Sequence, residues 1–148
     1  MAFILEEEDS IFTGDNVLGH GTAAFEDLAI YVDSLKRMAT QVSGRGYPAH
    51  GAVIDDIKSK IVEYILHRQG RENQILEILS RPKEAEASES PGWTTLDVVK
   101  FIYTELSPDM YPAAEQGVRL VLDKLAKEVR VSHNAQADAW HIKGKAML

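Results

Sequence analysis

Phe12-Thr13-Gly14-Asp15-Asn16-Val17-Leu18-Gly19-His20-Gly21 reads as the end of a strand running into a turn. Ile11 and Phe12 favour extended backbone. Gly14, Gly19 and Gly21 let the chain turn tightly and approach another segment closely. Between them stands one carboxylate, Asp15, with no charged neighbour in sequence to neutralise it. Held on a glycine-flanked strand end, a carboxylate presents a metal ligand. Equally, an aspartate there makes an Asx-turn and caps the loop. The segment by itself leaves both readings open.

A second stretch, Tyr47-Pro48-Ala49-His50-Gly51, complements the first. Pro48 restricts Tyr47 to an extended conformation. Gly51 lets the backbone turn directly after the histidine and aim the imidazole inwards. A neutral imidazole so presented is a good zinc ligand, and an ordinary loop histidine is the plain alternative.

Together, Thr13-Gly14-Asp15 and Tyr47-Pro48-Ala49-His50-Gly51 resemble the second half of a metallo-β-lactamase-fold hydrolase. Gly19-His20-Gly21-Thr22, Phe25-Glu26-Asp27-Leu28 and Tyr31-Val32-Asp33-Ser34-Leu35 extend the likeness. They resemble the lactamase-β-like endoribonucleases, and more closely the fungal thioesterases that release polyketides from an acyl carrier protein. The resemblance implies an α+β chain: a partial metallo-β-lactamase (αβ/βα) fold over residues 1–56, then a winged-helix-like C-terminal domain over 57–148. It also implies that Asp15 bridges two zinc ions, that His50 ligates one of them, and that neither is the nucleophile or general base. The expected reaction is metal-dependent thioester hydrolysis in polyketide release, with an acyl carrier protein or polyketide synthase as partner. A single-strand endoribonuclease of the same fold is the alternative within the enzymes. An inactive fragment or interaction module is the alternative outside them.

One departure is large. The family's main signature, H-x-H-x-D-H, is absent. The five histidines are His20, His50, His67, His133 and His141, and no two are spaced as H-x-H. Two metals need roughly seven or eight protein ligands. Asp15 and His50 are the recognisable ones. The sequence therefore looks like the C-terminal half of such an enzyme, its missing ligands lying upstream or coming from an oligomer or partner chain.

Composition bounds the remaining possibilities. The chain has 148 residues, 45% hydrophobic, enough for a core. With no cysteine, thiolate metal sites and cysteine nucleophiles are excluded. Net charge is −7, and residues 1–51 carry eight acids against three bases. No basic excess exists for gripping nucleic-acid phosphates. No apolar run approaches the ~20 residues of a membrane span, and no targeting segment is read, so the expected location is cytoplasmic. No Gly-x-Ser-x-Gly elbow, phosphate-binding glycine loop or other catalytic or cofactor-binding set is legible.

In chain order, residues 2–5 and 10–13 read as a hairpin around the acidic turn Glu6-Glu7-Glu8-Asp9. Phe25, Leu28, Val32, Leu35 and Ala39 predict a helix from Thr22, its cap, to about Ala39. Arg45 reads as a solvated loop cation. A long helix is expected from Asp55 or Asp56 to about Ser80, weakened at Gly70. His67 reads as a surface histidine. Residues 81–92 read as an exposed loop. Thr94 or Thr95 caps a helix through Tyr103, and Pro112 opens another to about Lys127. Residues 129–132 and 139–142 predict the strands of a wing, with His133 and His141 beside it on the surface. The expected recognition helix, Tyr111 to Glu128, balances three acids against three bases, which argues against duplex DNA.

Overall fold

A computed structural model describes residues 1–83 and 92–143. The acidic part of the loop expected at 81–92 therefore lies outside the described residues. The chain divides into two compact units, Met1–Gln69 and Gly70–Leu148.

The first unit is built on a three-stranded sheet in the order β1-β2-β3. β1 (Phe3–Leu5) and β2 (Ser10–Gly14) form the expected hairpin, antiparallel with Phe3 opposite Phe12. A 3-10 turn at Glu6–Glu8 joins them. Asp9 leaves this turn in the left-handed region (φ 46°), and its carboxylate accepts the Ser43 N–H at 3.2 Å. Strand alternation buries Ile11 and Thr13 while Phe12 points outward and stacks on Tyr47 at 5.1 Å; Ser10, at the start of the strand, is buried as well. β3 (Gly46–Pro48) lies parallel to β2, a pairing that requires a crossover connection. α1 (Leu28–Gln41) is that crossover. It buries Leu28, Tyr31, Val32, Leu35 and Met38, each burial worth about 1.5–3 kcal/mol before entropy is counted.

The sequence places the start of α1 at Thr22; the helix begins at Leu28 instead. Asp27 is the N-cap, its carboxylate accepting the Ile30 N–H at 3.0 Å. Residues 22–27 remain a loop because other partners hold them. The Ala23 carbonyl accepts from Arg68 at 3.3 Å, and Phe25 stacks on Tyr31 at 4.9 Å.

α2 (Ile57–Ser80) has the expected extent. Asp56 caps it, accepting the Ser59 N–H at 2.9 Å and the Ser59 hydroxyl at 2.7 Å; these bonds hold its carboxyl below the ordinary range. Ile57, Ile61 and Tyr64 are buried in the first unit, and Ile75, Ile78 and Leu79 in the second. The units divide inside α2. Tyr64 and Arg68 account for this: both bond to backbone between residues 18 and 23.

In the second unit α3 (Thr95–Ile102) and α4 (Tyr111–Lys127) pack with the end of α2 and a two-stranded hairpin, β4 (Val131–Asn134) and β5 (Ala139–Ile142). This is a winged helix. Val98, Val99, Val118, Leu122, Leu125, Val131 and Trp140 form its core. Thr94 and Asp97 make a reciprocal capping box at α3. Trp140 donates its indole N–H to Thr95 Oγ1 at 3.2 Å, so the one polar atom of a buried ring is satisfied. Buried Glu72 is met by Lys124 at 2.9 Å and Arg130 at 3.8 Å.

The first wing strand starts at Val131 rather than Val129. Val129 has φ 60° and Arg130 bonds back to the Leu125 carbonyl at 2.9 Å, so both residues close α4. Among the described residues no helix is long and apolar enough to cross a membrane.

Candidate metal site at the ends of two parallel strands

β2 and β3 run in the same direction, and Gly14 lies opposite Pro48. The loops that follow them therefore leave from the same edge, where open α/β sheets place their ligands. Ala49 N–H donates to the Gly14 carbonyl at 3.0 Å, continuing the pairing past the strands. The next residue on each chain is a candidate ligand. Asp15 Oδ1 lies 3.6 Å from His50 Nε2, and both side chains are largely exposed, at 76% and 70%.

The loop behind Asp15 is held firmly. Thr13 Oγ1 donates to the Val17 carbonyl at 2.7 Å, and Val17 is completely buried. Tyr31 donates its hydroxyl to the Asn16 carbonyl at 2.7 Å. Burial pushes the Tyr31 pKa up to about 12 despite nearby Arg68, so the hydroxyl remains a donor at neutral pH. Tyr64 accepts the Leu18 N–H at 3.3 Å and donates to the Gly21 carbonyl at 2.9 Å.

The two loops also meet directly. Gly19 N–H donates to the His50 carbonyl at 2.9 Å. Gly51 has φ 93°, and a Cβ there would lie 2.6 Å from His20 Nδ1 and 2.8 Å from Gly19 Cα. Only glycine fits that position. The loop after β3 can approach the Asp15 loop because this side chain is missing.

One carboxylate oxygen and one imidazole nitrogen suit zinc in kind. They fall short in number. Among the described residues no group of three or more His, Cys, Asp or Glu is placed to hold a metal ion. Asp15 and His50 thus fit as part of a metal site, not as a whole one.

The other residues singled out in the sequence lie elsewhere. Arg45 is exposed and pairs with Asp55 at 3.5 Å. His67 is exposed on α2. His133 stacks on Trp140 at 4.3 Å and lies 3.0 Å from the Asp138 carboxylate. The His141 ring rests against Gly92. The Tyr64-Ile65-Leu66-His67-Arg68 segment resembles one that joins two domains in the endoribonucleases, but the bonds by which Tyr31, Tyr64 and Arg68 hold residues 16–23 are not legible in the sequence. Tyr31 and Tyr64 read as members of apolar helix faces and Arg68 as part of a polar stretch, so none of the three signals a bond to a distant loop.

Comparison with known proteins agrees with this architecture. A family model described as "Beta-lactamase associated winged helix domain" matches residues 94–140. Lactamase-like protein aptB of Emericella nidulans is 39% identical over 98% of this chain and 48% of its own length. Lactamase-like protein nscB of Arthroderma gypseum is 42% identical over 88% and 44%. Metallo-beta-lactamase family protein TTHA1429 from Thermus thermophilus superposes with a TM-score of 0.70 at 23% identity, over 96% of this chain and 44% of that one. A beta-lactamase domain protein from Burkholderia ambifaria gives 0.77 at 17% identity, with the same coverage. The two structural likenesses establish the fold alone. The chain has part of the metallo-β-lactamase fold, followed by the winged helix that the family model describes, and it resembles the fungal lactamase-like proteins. It spans about half the length of the curated relatives it matches.

Proposed function

We propose that this chain contributes Asp15 and His50 as metal ligands to a zinc-dependent thioesterase that releases a polyketide from an acyl carrier protein. The observation that carries the reading is the 3.6 Å approach of these side chains at the ends of adjacent parallel strands. Zinc, when bound, supplies a Lewis acid that polarises a carbonyl and activates water. The chain's own part is positional. Tyr31, Thr13 and Tyr64 hold the loop that aims Asp15, and Gly51 admits the loop that aims His50. The remaining ligands come from outside this set of residues.

Charge favours an acyl-thioester substrate over a nucleic acid. On α4, Lys124 is engaged by Glu72 and Glu128, and Arg119 lies 3.6 Å from Asp138. Acids that match these cations leave α4 and its C-cap Glu128 with no net positive charge to offer a phosphate backbone. The winged helix therefore acts as a structural wall rather than a duplex-DNA reader.

The test is hydrolysis of an acyl thioester beside a single-stranded RNA, with zinc, by the chain together with the segment or partner that supplies the remaining ligands, and by the Asp15→Asn and His50→Gln variants of that assembly. Zinc-dependent thioester cleavage lost in both variants is expected. Cleavage of RNA alone would assign the endoribonuclease reading. Cleavage of neither would assign an inactive or interaction role.

A further inference from the structure

A second site lies in the first unit, apart from the Asp15–His50 pair. A cavity of about 150 Å³ is lined by Gly21, Thr22, Glu63, Tyr64, His67 and Arg68. Its charges are unevenly matched. Glu63 is taken by Lys60, whose ammonium reaches both carboxylate oxygens at 3.0 and 2.9 Å. Arg45, Arg81, Arg119 and Arg130 each have a carboxylate within 4.0 Å. Among the described residues Arg68 has none in that range. It donates to the Ala23 carbonyl at 3.3 Å and to the Tyr31 hydroxyl oxygen, and its guanidinium lies over the Phe25 and Tyr31 rings at 4.8 and 5.8 Å, so its partners are neutral ones. Its Nε is buried without a hydrogen-bond partner.

A half-buried guanidinium without a counter-charge is costly, and a planar fork of donors is the group best matched to an oxyanion. Two neighbours add donors of the right kind. Thr22 and the exposed His67, which directly precedes Arg68 on α2, also line the cavity. The aromatic clamp holds the guanidinium in place, so little freedom is lost when an anion binds.

We propose that this cavity is a binding site for a small oxyanion, a carboxylate or a phosphate ester, held by Arg68 with Thr22 and His67. The site stands independently of the metal reading. A purely structural role for Arg68, as a clamp on Phe25, is the competing account.

The test is an NMR titration of the ¹⁵N-labelled 148-residue chain with inorganic phosphate and, separately, acetate, at constant ionic strength. Saturable shifts centred on Gly21, Thr22, His67 and Arg68 are expected with at least one of them. Saturation by phosphate alone assigns a phosphate ester, and by acetate alone a carboxylate. Arg68→Gln should weaken binding about tenfold, the scale of one charge-assisted hydrogen bond. His67→Ala, at an exposed position, should weaken it severalfold and keeps the test open if Arg68→Gln does not fold. No saturation with either anion, or affinity unchanged in the folded variants, overturns the proposal.

Discussion

Asp15 and His50, 35 positions apart in sequence, face each other at 3.6 Å because β2 and β3 are adjacent and parallel. Both side chains are more than two-thirds exposed, so water screens their attraction. The pair therefore contributes little to stability. Asp15→Asn and His50→Gln are each expected to change unfolding free energy by less than about 0.5 kcal/mol. Urea unfolding checks this; a loss well above ~1 kcal/mol would reveal a structural role.

Glycines on this chain separate by what a methyl group would meet. At Gly51 it enters the Asp15 loop and the backbone has φ 93°, so Gly51→Ala is expected to cost about 2 kcal/mol or more. At Gly70, within α2, nothing lies within 4 Å, and Gly70→Ala should stabilise by up to about 1 kcal/mol. Hydrogen exchange of residues 15–21 and of α2 distinguishes the two effects by location.

Val129 carries a β-branched side chain at φ 60° in the turn that ends α4, and it is exposed. Left-handed backbone costs a non-glycine residue about 1–2 kcal/mol. Val129→Gly is expected to stabilise the winged helix by about 1 kcal/mol, part of the gain being lost to the greater freedom of glycine in the unfolded chain. Chemical denaturation of the variant beside the parent measures it.

Asp97 closes the capping box of α3 and meets Lys83 at 2.7 Å. Burial opposes its charge, but the Lys83 ammonium and the Thr94 donors outweigh burial and hold its carboxyl below the ordinary range. A depressed folded-state pKa contributes stability above the unfolded-state value, and that contribution disappears as pH falls through the folded-state value. Asp97→Asn should cost about 1 kcal/mol at neutral pH and progressively less on acidification below the usual carboxylate range. Amide exchange of α3 across an acid series follows this directly.

Much of the architecture was legible because its signals are local. The β1–β2 hairpin, the Asp56 cap of α2, the Thr94 cap of α3 and strand β5 each follow from neighbouring residues. Errors arose where tertiary contacts overrode local preference. Thr22 is an acceptable cap, yet Arg68 and Tyr31 hold residues 23 and 25 in a loop, and the helix waits for Asp27. Val129 favours strands, yet the end of α4 claims it. The candidate site was read from motif strings and glycines. Its supports were not, because Tyr31 and Tyr64 look like core residues until their hydroxyls find partners on the Asp15 loop.

The most direct test of the metal-ligand account is a zinc titration of the chain followed through its histidine side-chain ¹⁵N resonances. Saturable perturbation of His50, weakened in Asp15→Asn, is the predicted result. Zinc that perturbs other histidines and leaves His50 untouched, or a His50 response indifferent to Asp15→Asn, would contradict it.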